Sequence, residues 1–206
     1  MSNVIILADG EFPHRGELLA MLRHAGTVIC CDGAADKLVA FGREPDWIVG
    51  DLDSVSPETK SRFAAKAVHF CEQETNDLAK AFRFCAERNL IPDAVLGASG
   101  AREDHMLGNL SRFAENAAGF PECRLYTEQG YFCVFAGAGK FTCPVGTQVS
   151  IFSFDPMQKI TSTGLKYPLN DLALPWWHSG TLNEVAAETF SLRGSGEAPI
   201  LLFFKY

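Results

Sequence analysis

Short apolar runs alternate with helix-spaced apolar residues through roughly the first 120 residues of the chain. The runs are bounded by Gly, Pro or Asp, which predicts buried strands. They cover residues 4–7, 27–31, 47–49, 68–71 and 92–96. Helical spacing is clearest over residues 75–88, and further helices are predicted over residues 17–23, 34–41 and 104–118 and from Ser56-Pro57 onward. Strands that alternate with helices indicate parallel βαβ units, so we predict an α/β domain with a parallel sheet.

The pattern changes near residue 121. Short strand-like runs, punctuated by Gly, Pro and Asn, then follow one another at residues 124–127, 131–135, 148–154, 159–163, 189–192 and 200–204. No helical spacing remains in this part of the chain. Many short strands predict an antiparallel, all-β sandwich or barrel. We therefore predict two domains, residues 1–121 and residues 122–206.

Polar residues follow four of the predicted strands of the first domain. They are Asp32 and Gly33, then Asp51 and Asp53, then Gln73, Thr75 and Asp77, and finally residues 97–105. Because the carboxyl ends of parallel strands share one edge of the sheet, we expect these groups to converge in a single site. The alternative is that loops are polar and that helices favour acidic first turns, which would account for Asp77 by itself.

The residue types in these groups predict a site for a metal-bound nucleotide. Asp51 and Asp53 suit Mg²⁺, which proteins hold with one or two carboxylates plus substrate phosphates. Thr75 is the predicted N-cap of the next helix, which sets Asp77 in the first turn, where the helix dipole favours an ionised carboxylate.

Residues 97–105 predict a phosphate contact. Gly97, Gly100 and the helix after them would expose backbone N–H groups, and the Arg102 guanidinium matches phosphate oxygens. His105 is either a general base or phosphate contact, or a helix-cap or packing residue.

Residues 137–140 resemble a phosphate loop only superficially. Val134 stands where such a loop requires its first glycine, and Phe141 where it requires Ser or Thr. We interpret these residues as a turn. No GxGxxG follows the first strand either, so the sequence disfavours P-loop kinases and NAD enzymes.

Net charge and cysteine content indicate which partners and which cellular compartment to expect. The 206 residues carry a net charge of −7, which argues against nucleic-acid or anionic-membrane partners. A phosphate ligand stays compatible with this charge, since a metal supplies positive charge locally. The seven cysteines include no CxxC pair, which favours reduced thiols. With no signal peptide and no apolar run of about 18 residues, we expect a cytoplasmic protein without a membrane span.

The polar groups, in this order, resemble the thiamine pyrophosphokinase family. The matching motifs of the first domain are Asp32-Gly33-Ala34-Ala35-Asp36, Pro45-Asp46 with Gly50-Asp51-Leu52-Asp53-Ser54, Gln73-Glu74-Thr75-Asn76-Asp77-Leu78, and Gly97-Ala98-Ser99-Gly100-Ala101-Arg102-Glu103-Asp104-His105. In the second domain, Thr161-Ser162-Thr163-Gly164-Leu165-Lys166-Tyr167-Pro168-Leu169 and Leu182-Asn183-Glu184 resemble the family's carboxy-terminal motifs.

This resemblance implies a Rossmann-like α/β domain that binds nucleotide and metal and carries the catalytic residues. It implies a β-sandwich second domain that binds thiamine and forms a homodimer, with each active site between the α/β domain of one subunit and the β domain of the other. The implied activity is that of a thiamine diphosphokinase, in which ATP and thiamine give AMP and thiamine diphosphate. ATP is then the co-substrate and Mg²⁺ the cofactor.

The resemblance also implies roles for individual residues. Asp51, Asp53 and Asp77 would hold Mg²⁺ and, with Asp104, form the catalytic set. The nucleotide would contact Asp32, Gly33, Gln73, Ser99, Gly100, Arg102 and His105. Thiamine would contact Gln73, Tyr167, Thr181 and Asn183, with the Tyr167 ring stacked on it. Either Asp77 or Asp104 would accept the proton of the thiamine hydroxyl.

Two other functions fit the same residues. One is a nucleotide- and Mg²⁺-dependent transferase that acts on a different alcohol, and the other is a non-catalytic nucleotide- or thiamine-binding regulator. Three carboxylates favour an enzyme, because a pure binder would need fewer of them beside phosphates. Trp176-Trp177 is either a hydrophobic plug or dimer contact, or a stacking platform for a flat or cationic ring.

Overall fold

The computed structural model describes residues 3–72 and 74–206. These residues form two compact units. The first unit comprises the chain up to Asn116 together with Glu122–Glu128, and the second comprises Ala117–Pro121 and Gln129–Tyr206. Gln73, predicted to contact nucleotide and thiamine, lies outside the described residues.

The first unit is a parallel sheet with helical connections. Its strands are β1 (Val4–Leu7), β2 (Thr27–Cys31), β3 (Trp47–Gly50), β4 (Ala67–His69), β5 (Pro92–Leu96) and β6 (Arg124–Tyr126), in the spatial order β6-β5-β1-β2-β3-β4. Its helices are α1 (Gly16–His24), α2 (Ala34–Ala40), α3 (Pro57–Arg62), α4 (Asp77–Glu87) and α5 (Glu103–Asn116), with a 3₁₀ turn at Ala64–Lys66. All neighbouring strands of this unit pair in parallel, which confirms the predicted mixed α/β arrangement.

The strand order of the first unit reverses between β1 and β5. Connections from β1 therefore lead to one side of the sheet, and the chain returns on the other side to form β5 and β6. Such a reversal opens a crevice at the carboxyl ends of the central strands.

Both faces of the parallel sheet are covered, as its apolar strands require. Cys30 lies in a core cluster with residues of α1 and α2, whereas the Cys31 thiol donates to the carbonyl oxygen of Asp77 on α4 over 3.5 Å. The two adjacent cysteines thus face opposite sides of the sheet, because successive side chains of a strand alternate between its faces. No disulfide links cysteines among the described residues.

The predicted start of α3 is correct, whereas the predicted N-cap of α4 is wrong. Ser56 caps α3 through a bond from the Thr59 N–H, and Pro57 follows at the first helical position. Thr75 is not the cap of α4, because its hydroxyl bonds to Glu72 and the Asn76 side chain accepts the Ala79 N–H at 3.0 Å instead.

The second unit consists of two antiparallel sheets. Its strands are β7 (Gly130–Phe135), β8 (Ala138–Thr142), β9 (Gln148–Ser153), β10 (Lys159–Thr163), β11 (Leu172–Ala173), β12 (Asn183–Glu184), β13 (Thr189–Gly194) and β14 (Ile200–Lys205). Short 3₁₀ turns lie at Ala117–Gly119 and Trp177–Gly180. One sheet has the order β12-β9-β14-β7 and the other β11-β10-β13-β8, and both contribute to one apolar cluster.

Three predictions about this part of the chain are wrong. The segment 137–140 is not a turn, since β8 begins at Ala138 and the Phe141 ring stacks on Phe190 with centroids 5.1 Å apart. The 3₁₀ turn at Trp177–Gly180 lies where no helix was expected. The run at 124–127 was expected among antiparallel strands, but β6 pairs in parallel with β5.

Across the described ranges, no helix has both the length and the apolar character that crossing a membrane would require.

Candidate active site

The carboxyl ends of the first unit's strands open onto a cleft of about 580 Å³. Loops after β1, β2, β3 and β5 and the first turns of α4 and α5 form its walls. The polar residues that line it are Asp9, Asp32, Asp51, Ser54, Thr75, Asn76, Asp77, Lys80, Ser99, Arg102, Asp104, His105 and Asn109. The predicted groups therefore do converge on one crevice.

Asp32 is the most deeply buried carboxylate of the cleft, with a relative exposure of 4%. Its Oδ2 accepts the Ser54 N–H at 3.0 Å, whereas its Oδ1 is buried and has no hydrogen-bond partner among the described residues. Burial raises the pKa of this carboxyl, and the charges of Asp77 and Asp51 raise it further against the effect of Ser54. One carboxylate oxygen thus remains available in the wall of the cleft.

The segment after β3 is held in a strained backbone conformation. Leu52 has φ +65°, which is uncommon for a residue with a side chain, and the Asp53 N–H bonds back to Asp51 Oδ1 at 3.1 Å. Asp36 on α2 fixes the far end of this segment by accepting the Ser56 N–H at 2.8 Å and the Thr59 hydroxyl at 2.5 Å. The surrounding structure therefore determines where this segment runs.

Asp77 is the first residue of α4 and is paired with a buried lysine on the same helix. Lys80 Nζ lies 3.0 Å from Asp77 Oδ1, and the relative exposure of the two side chains is 3% and 32%. Burial opposes the charge of Lys80, but the hydrogen bond to Asp77 and the charges of Asp77 and Asp51 outweigh it and raise the pKa of Lys80. Lys80 was not among the predicted residues.

A chain of side-chain amides connects the start of α4 to the loop after β5. Asn76 Nδ2 donates to Asn109 Oδ1 at 3.0 Å, and Asn109 Nδ2 donates to the Ala98 carbonyl at 3.0 Å. Both asparagines line the cleft. The position of Asp77 is thereby coupled to the loop that carries Ser99.

Arg102 and Asp104 form an exposed pair at the start of α5. The guanidinium makes two hydrogen bonds to the carboxylate, at 3.1 and 2.6 Å. The bond from Arg102 holds the pKa of Asp104 below its usual range. The preceding Gly100 has φ +88°, and a side chain there would collide with Glu11, so the loop requires glycine. His105 follows on the same helix and is exposed.

Asp9 is a further cleft residue that sequence reasoning missed. It follows β1, as the other acidic residues follow their strands, and that signal would have identified it. Lys37 on α2 bonds its Oδ1 at 2.7 Å and also the Gly10 carbonyl at 2.7 Å. Gly33 allows Asp9 to approach, because a Cβ at Gly33 would lie 2.6 Å from Asp9 Oδ2.

Four residues that were singled out at these strand ends are not among those that line the cleft: Gly33, Asp53, Gly97 and Gly100. Asp53 is exposed. Within residues 3–72 and 74–206, no three or more His, Cys, Asp or Glu side chains form a group preassembled to hold a metal ion. The carboxylates around the cleft face one another without such close assembly.

The predicted thiamine residues other than Gln73 lie in the second unit, where Tyr167 is 59% exposed. Asn183 is buried, and its side chain bonds the backbone of Tyr167 twice, accepting its N–H at 3.1 Å and donating to its carbonyl at 2.7 Å. Asn183 therefore fixes the backbone that presents the Tyr167 ring. The Thr181 hydroxyl donates to the His178 carbonyl at 2.9 Å.

The two tryptophans of the second unit differ in their surroundings. Trp177 packs edge-on against Phe152 and Phe154, with ring centroids 6.1 and 5.8 Å away. Trp176 is 69% exposed. Trp177 thus has a packing role.

Comparison with known proteins gives two family matches that follow one another along the chain. Residues 18–125 match the thiamin pyrophosphokinase catalytic domain, and residues 130–203 match the thiamin pyrophosphokinase substrate-binding domain. The chain belongs to the thiamin pyrophosphokinase family.

Individual members of this family are similar over most of their length. Thiamin pyrophosphokinase 1 of Caenorhabditis elegans is 28% identical over 81% of this chain and 74% of its own. Thiamine pyrophosphokinase of Bacillus subtilis (strain 168) is 29% identical over 71% of this chain and 68% of its own. The crystal structure of thiamine pyrophosphokinase from Bacillus subtilis superposes with a TM-score of 0.76 at 21% identity, covering 99% of both chains, which shows a shared fold.

Proposed function

We propose that this protein transfers the pyrophosphoryl group of ATP to the hydroxyl of thiamine, giving AMP and thiamine diphosphate. The observation that carries the proposal is the family match over both parts of the chain. The acidic cleft at the strand ends supports it, because pyrophosphoryl transfer depends on positioned charge around the phosphates.

The residues of the cleft fit a magnesium ion. Asp32 Oδ1 is a buried oxygen without a hydrogen-bond partner, and Asp77 uses only Oδ1 in its pair with Lys80. Asp51 lines the same cleft. Carboxylate oxygens are the ligands that Mg²⁺ prefers, so we assign it to Asp51 and Asp77, with Asp32 adjacent and Asp53 as a further ligand. When bound, Mg²⁺ would neutralise phosphate charge.

The nucleotide is assigned to the walls of this cleft. Arg102 would bond phosphate oxygens as it now bonds Asp104, because a guanidinium presents the same pair of donors to either group. Asp32, Gly33, Ser99, Gly100, His105 and the undescribed Gln73 complete the proposed nucleotide contacts. A cleft carboxylate would take the proton of the attacking hydroxyl, with Asp104 and Asp77 as the candidates.

Thiamine is assigned to Tyr167, Thr181 and Gln73, with Asn183 holding the Tyr167 backbone. An exposed aromatic ring favours a cationic thiazolium face. We also propose that the first unit is Rossmann-like and that the second is a β-sandwich. The protein is further proposed to be a homodimer and to be cytoplasmic.

Incubation with ATP, Mg²⁺ and thiamine, followed by chromatography of the nucleotides and thiamine esters, tests the function. We expect AMP and thiamine diphosphate in equal amounts. ADP with thiamine monophosphate would indicate phosphoryl transfer instead, and no AMP above a thiamine-free control would reject the proposal. Omitting Mg²⁺ and adding EDTA should abolish the reaction.

Complementation tests the proposed homodimer with shared sites. Asp77→Asn and Tyr167→Ala subunits would each be inactive at low thiamine concentration. If residues of two subunits form each site, co-expression of the two variants should restore about a quarter of the normal activity, because half of the dimers are mixed and each has one intact site. Activity no higher than that of the separate variants would contradict shared sites.

A further inference from the structure

Lys80 is the feature of the cleft that neither the strand-end pattern nor the proposed ligands explain. Its side chain is only 3% exposed, although it carries a charge. Lysine is almost never buried to this extent without a partner. Here the partner is Asp77, and Lys80 is on the wall of the cleft.

The location of Lys80 on α4 is electrostatically unfavourable for the helix itself. It lies in the first turns, close to the positive end of the helix dipole, where a cation destabilises the helix. The desolvation of a buried ammonium group also offsets much of the attraction between the two charges. Helix stability therefore does not account for a lysine here, and Asp77 and the cleft remain as the reason.

The geometry divides the two oxygens of Asp77. Oδ1 bonds Lys80 Nζ at 3.0 Å and lies against Gly50, where even a Cβ would come within 3.2 Å of it. Asp77 Oδ2 makes no hydrogen bond recorded among the described residues. One oxygen is thus fixed on the inner side and the other is left to the cleft.

The charges that face Lys80 come from three elements. Asp77 is on its own helix, Asp51 follows β3, and Glu72 follows β4. A cation at this point lowers the total negative charge that a metal ion would meet in the cleft.

We propose that Lys80 is a positioning residue that holds Asp77 by one oxygen, so that Asp77 offers only Oδ2 to a bound cation, and that its charge weakens cation binding in the cleft. The part of this inference that concerns turnover rests on the proposed function, whereas the part that concerns metal affinity does not. Lys80 orients Asp77 for turnover and, at the same time, keeps the metal from binding too tightly.

The test compares Lys80→Met, Lys80→Arg and wild type, with Arg83→Met as the matched control. Arg83 lies on the same helix, is exposed and pairs with Glu87 outside the cleft. The probe is Mn²⁺ alone, with free Mn²⁺ measured by electron paramagnetic resonance and no nucleotide present. Turnover is measured separately under saturating Mg²⁺.

We expect Lys80→Met to bind Mn²⁺ about tenfold more tightly, corresponding to about one pK unit of lost charge repulsion, while kcat falls at least tenfold. Lys80→Arg keeps the charge but moves the donor, so Mn²⁺ affinity should stay within about twofold while kcat falls. Arg83→Met should change neither quantity. If Lys80 had only a structural role, Lys80→Met would instead weaken Mn²⁺ binding and lower turnover together.

Mn²⁺ binding by Lys80→Met that is unchanged or weaker would overturn the proposal, as would wild-type kcat in Lys80→Arg. If Lys80→Met does not fold, as judged by circular dichroism, the uncharged Lys80→Gln replaces it in both measurements with the same expected results. In an Asp77→Asn background, the gain in Mn²⁺ affinity caused by Lys80→Met should be at least threefold smaller. A gain as large as in the wild-type background would show that Lys80 does not act through Asp77. A wild-type protein that makes no thiamine diphosphate would reject the proposed function, and the Mn²⁺ measurements would still test the inference.

Discussion

Two cation–carboxylate pairs lie in the same cleft and differ in almost every physical respect. Lys80–Asp77 joins a buried lysine to a carboxylate that is 32% exposed, with one contact of 3.0 Å, whereas both side chains of Arg102–Asp104 are exposed, at 67% and 65%, and their contact is shorter, at 2.6 Å. The shorter and doubly bonded pair is the weaker one in terms of stability, because water and salt screen exposed charges.

The difference suggests a division of labour. An exposed guanidinium can exchange one anion for another at little free-energy cost, which suits the phosphate contact that we propose for Arg102. A buried ammonium cannot leave its partner without stranding a charge, which suits a residue that holds Asp77 permanently. The cleft therefore contains one pair whose geometry is fixed, Lys80–Asp77, and one whose partners can be exchanged, Arg102–Asp104.

The largest expected effect comes from Asp77→Asn. Loss of this charge should lower kcat by about a thousandfold, the scale of removing a positioned electrostatic group, and should lower the free energy of unfolding by about 1–3 kcal/mol because Lys80 loses its counterion. Steady-state kinetics and urea unfolding measure the two quantities.

A matched control for that variant is Asp171→Asn. Asp171 also pairs with a lysine, Lys159, at 2.8 Å, but the pair is exposed and lies in the second unit. Its replacement should leave kcat unchanged and stability within about 0.5 kcal/mol. If both variants lost equal stability, the contrast between buried and exposed pairs would be wrong.

Arg102→Ala should have the next largest effect. The KM for ATP should rise about tenfold or more, because a charge-assisted phosphate bond is lost, while stability changes by less than about 0.5 kcal/mol. Arg62→Ala is the control, since Arg62 forms a comparable exposed pair with Glu44 at 2.7 Å away from the cleft. A KM for ATP equal to that of wild type would remove Arg102 from the nucleotide site.

Asn109→Ala tests the connection between the start of α4 and the loop after β5. It removes a side chain that bonds both Asn76 and the Ala98 carbonyl, so kcat should fall about tenfold and stability by about 1–2 kcal/mol. Asn116→Ala is the control on the same helix, because that side chain bonds only the Arg112 carbonyl within α5. Equal kinetic effects of the two variants would show that the amide chain does not serve the site.

The smallest expected effect is that of Asp32→Asn on the free energy of unfolding, measured in EDTA as a function of pH. It is also the effect that reports most directly on the burial of Asp32. Because the folded state raises the pKa of Asp32, the ionised carboxyl destabilises the fold above that pKa, and the penalty disappears as pH falls to the unfolded value of 3.8. Asparagine should therefore be more stable than wild type near neutral pH, and the gap should close on acidification. Asparagine also tolerates the φ of +46° at this position. Urea unfolding as a function of pH measures the gap, and a gap that does not vary with pH would contradict this account.

Much of the first unit and its cleft was predictable from the chain. Apolar runs fixed the strands, and the rule that parallel strands end at a common edge brought Asp32, Asp51 and Asp77 into one crevice. Lys80 was not predicted because the periodicity of a helix indicates which of its apolar residues are buried and gives no signal for a buried lysine. A lysine three residues from Asp77, beside Leu78 and Ala81 on a helix whose early turns are buried, was the available signal.

Other features could not be read from local sequence. The Asn76–Asn109 bond joins residues 33 positions apart, so only the packing of α4 on α5 reveals it. The strand β8 escaped because Gly and Ala have low strand propensity, and its formation depends on pairing with β13. The division between Asn183 as a backbone support and Tyr167 as an exposed ring likewise depends on contacts across 16 positions.

The path of the chain between the two units has a consequence for biosynthesis. The first unit includes Glu122–Glu128, which follow a short segment assigned to the second unit. The parallel sheet therefore lacks strand β6 until residue 126 has left the ribosome, and the edge of β5 that β6 covers is unpaired until then. A fragment cut at residue 116 should for the same reason be more prone to association through the β5 edge than one that extends to residue 128, in which β6 covers that edge.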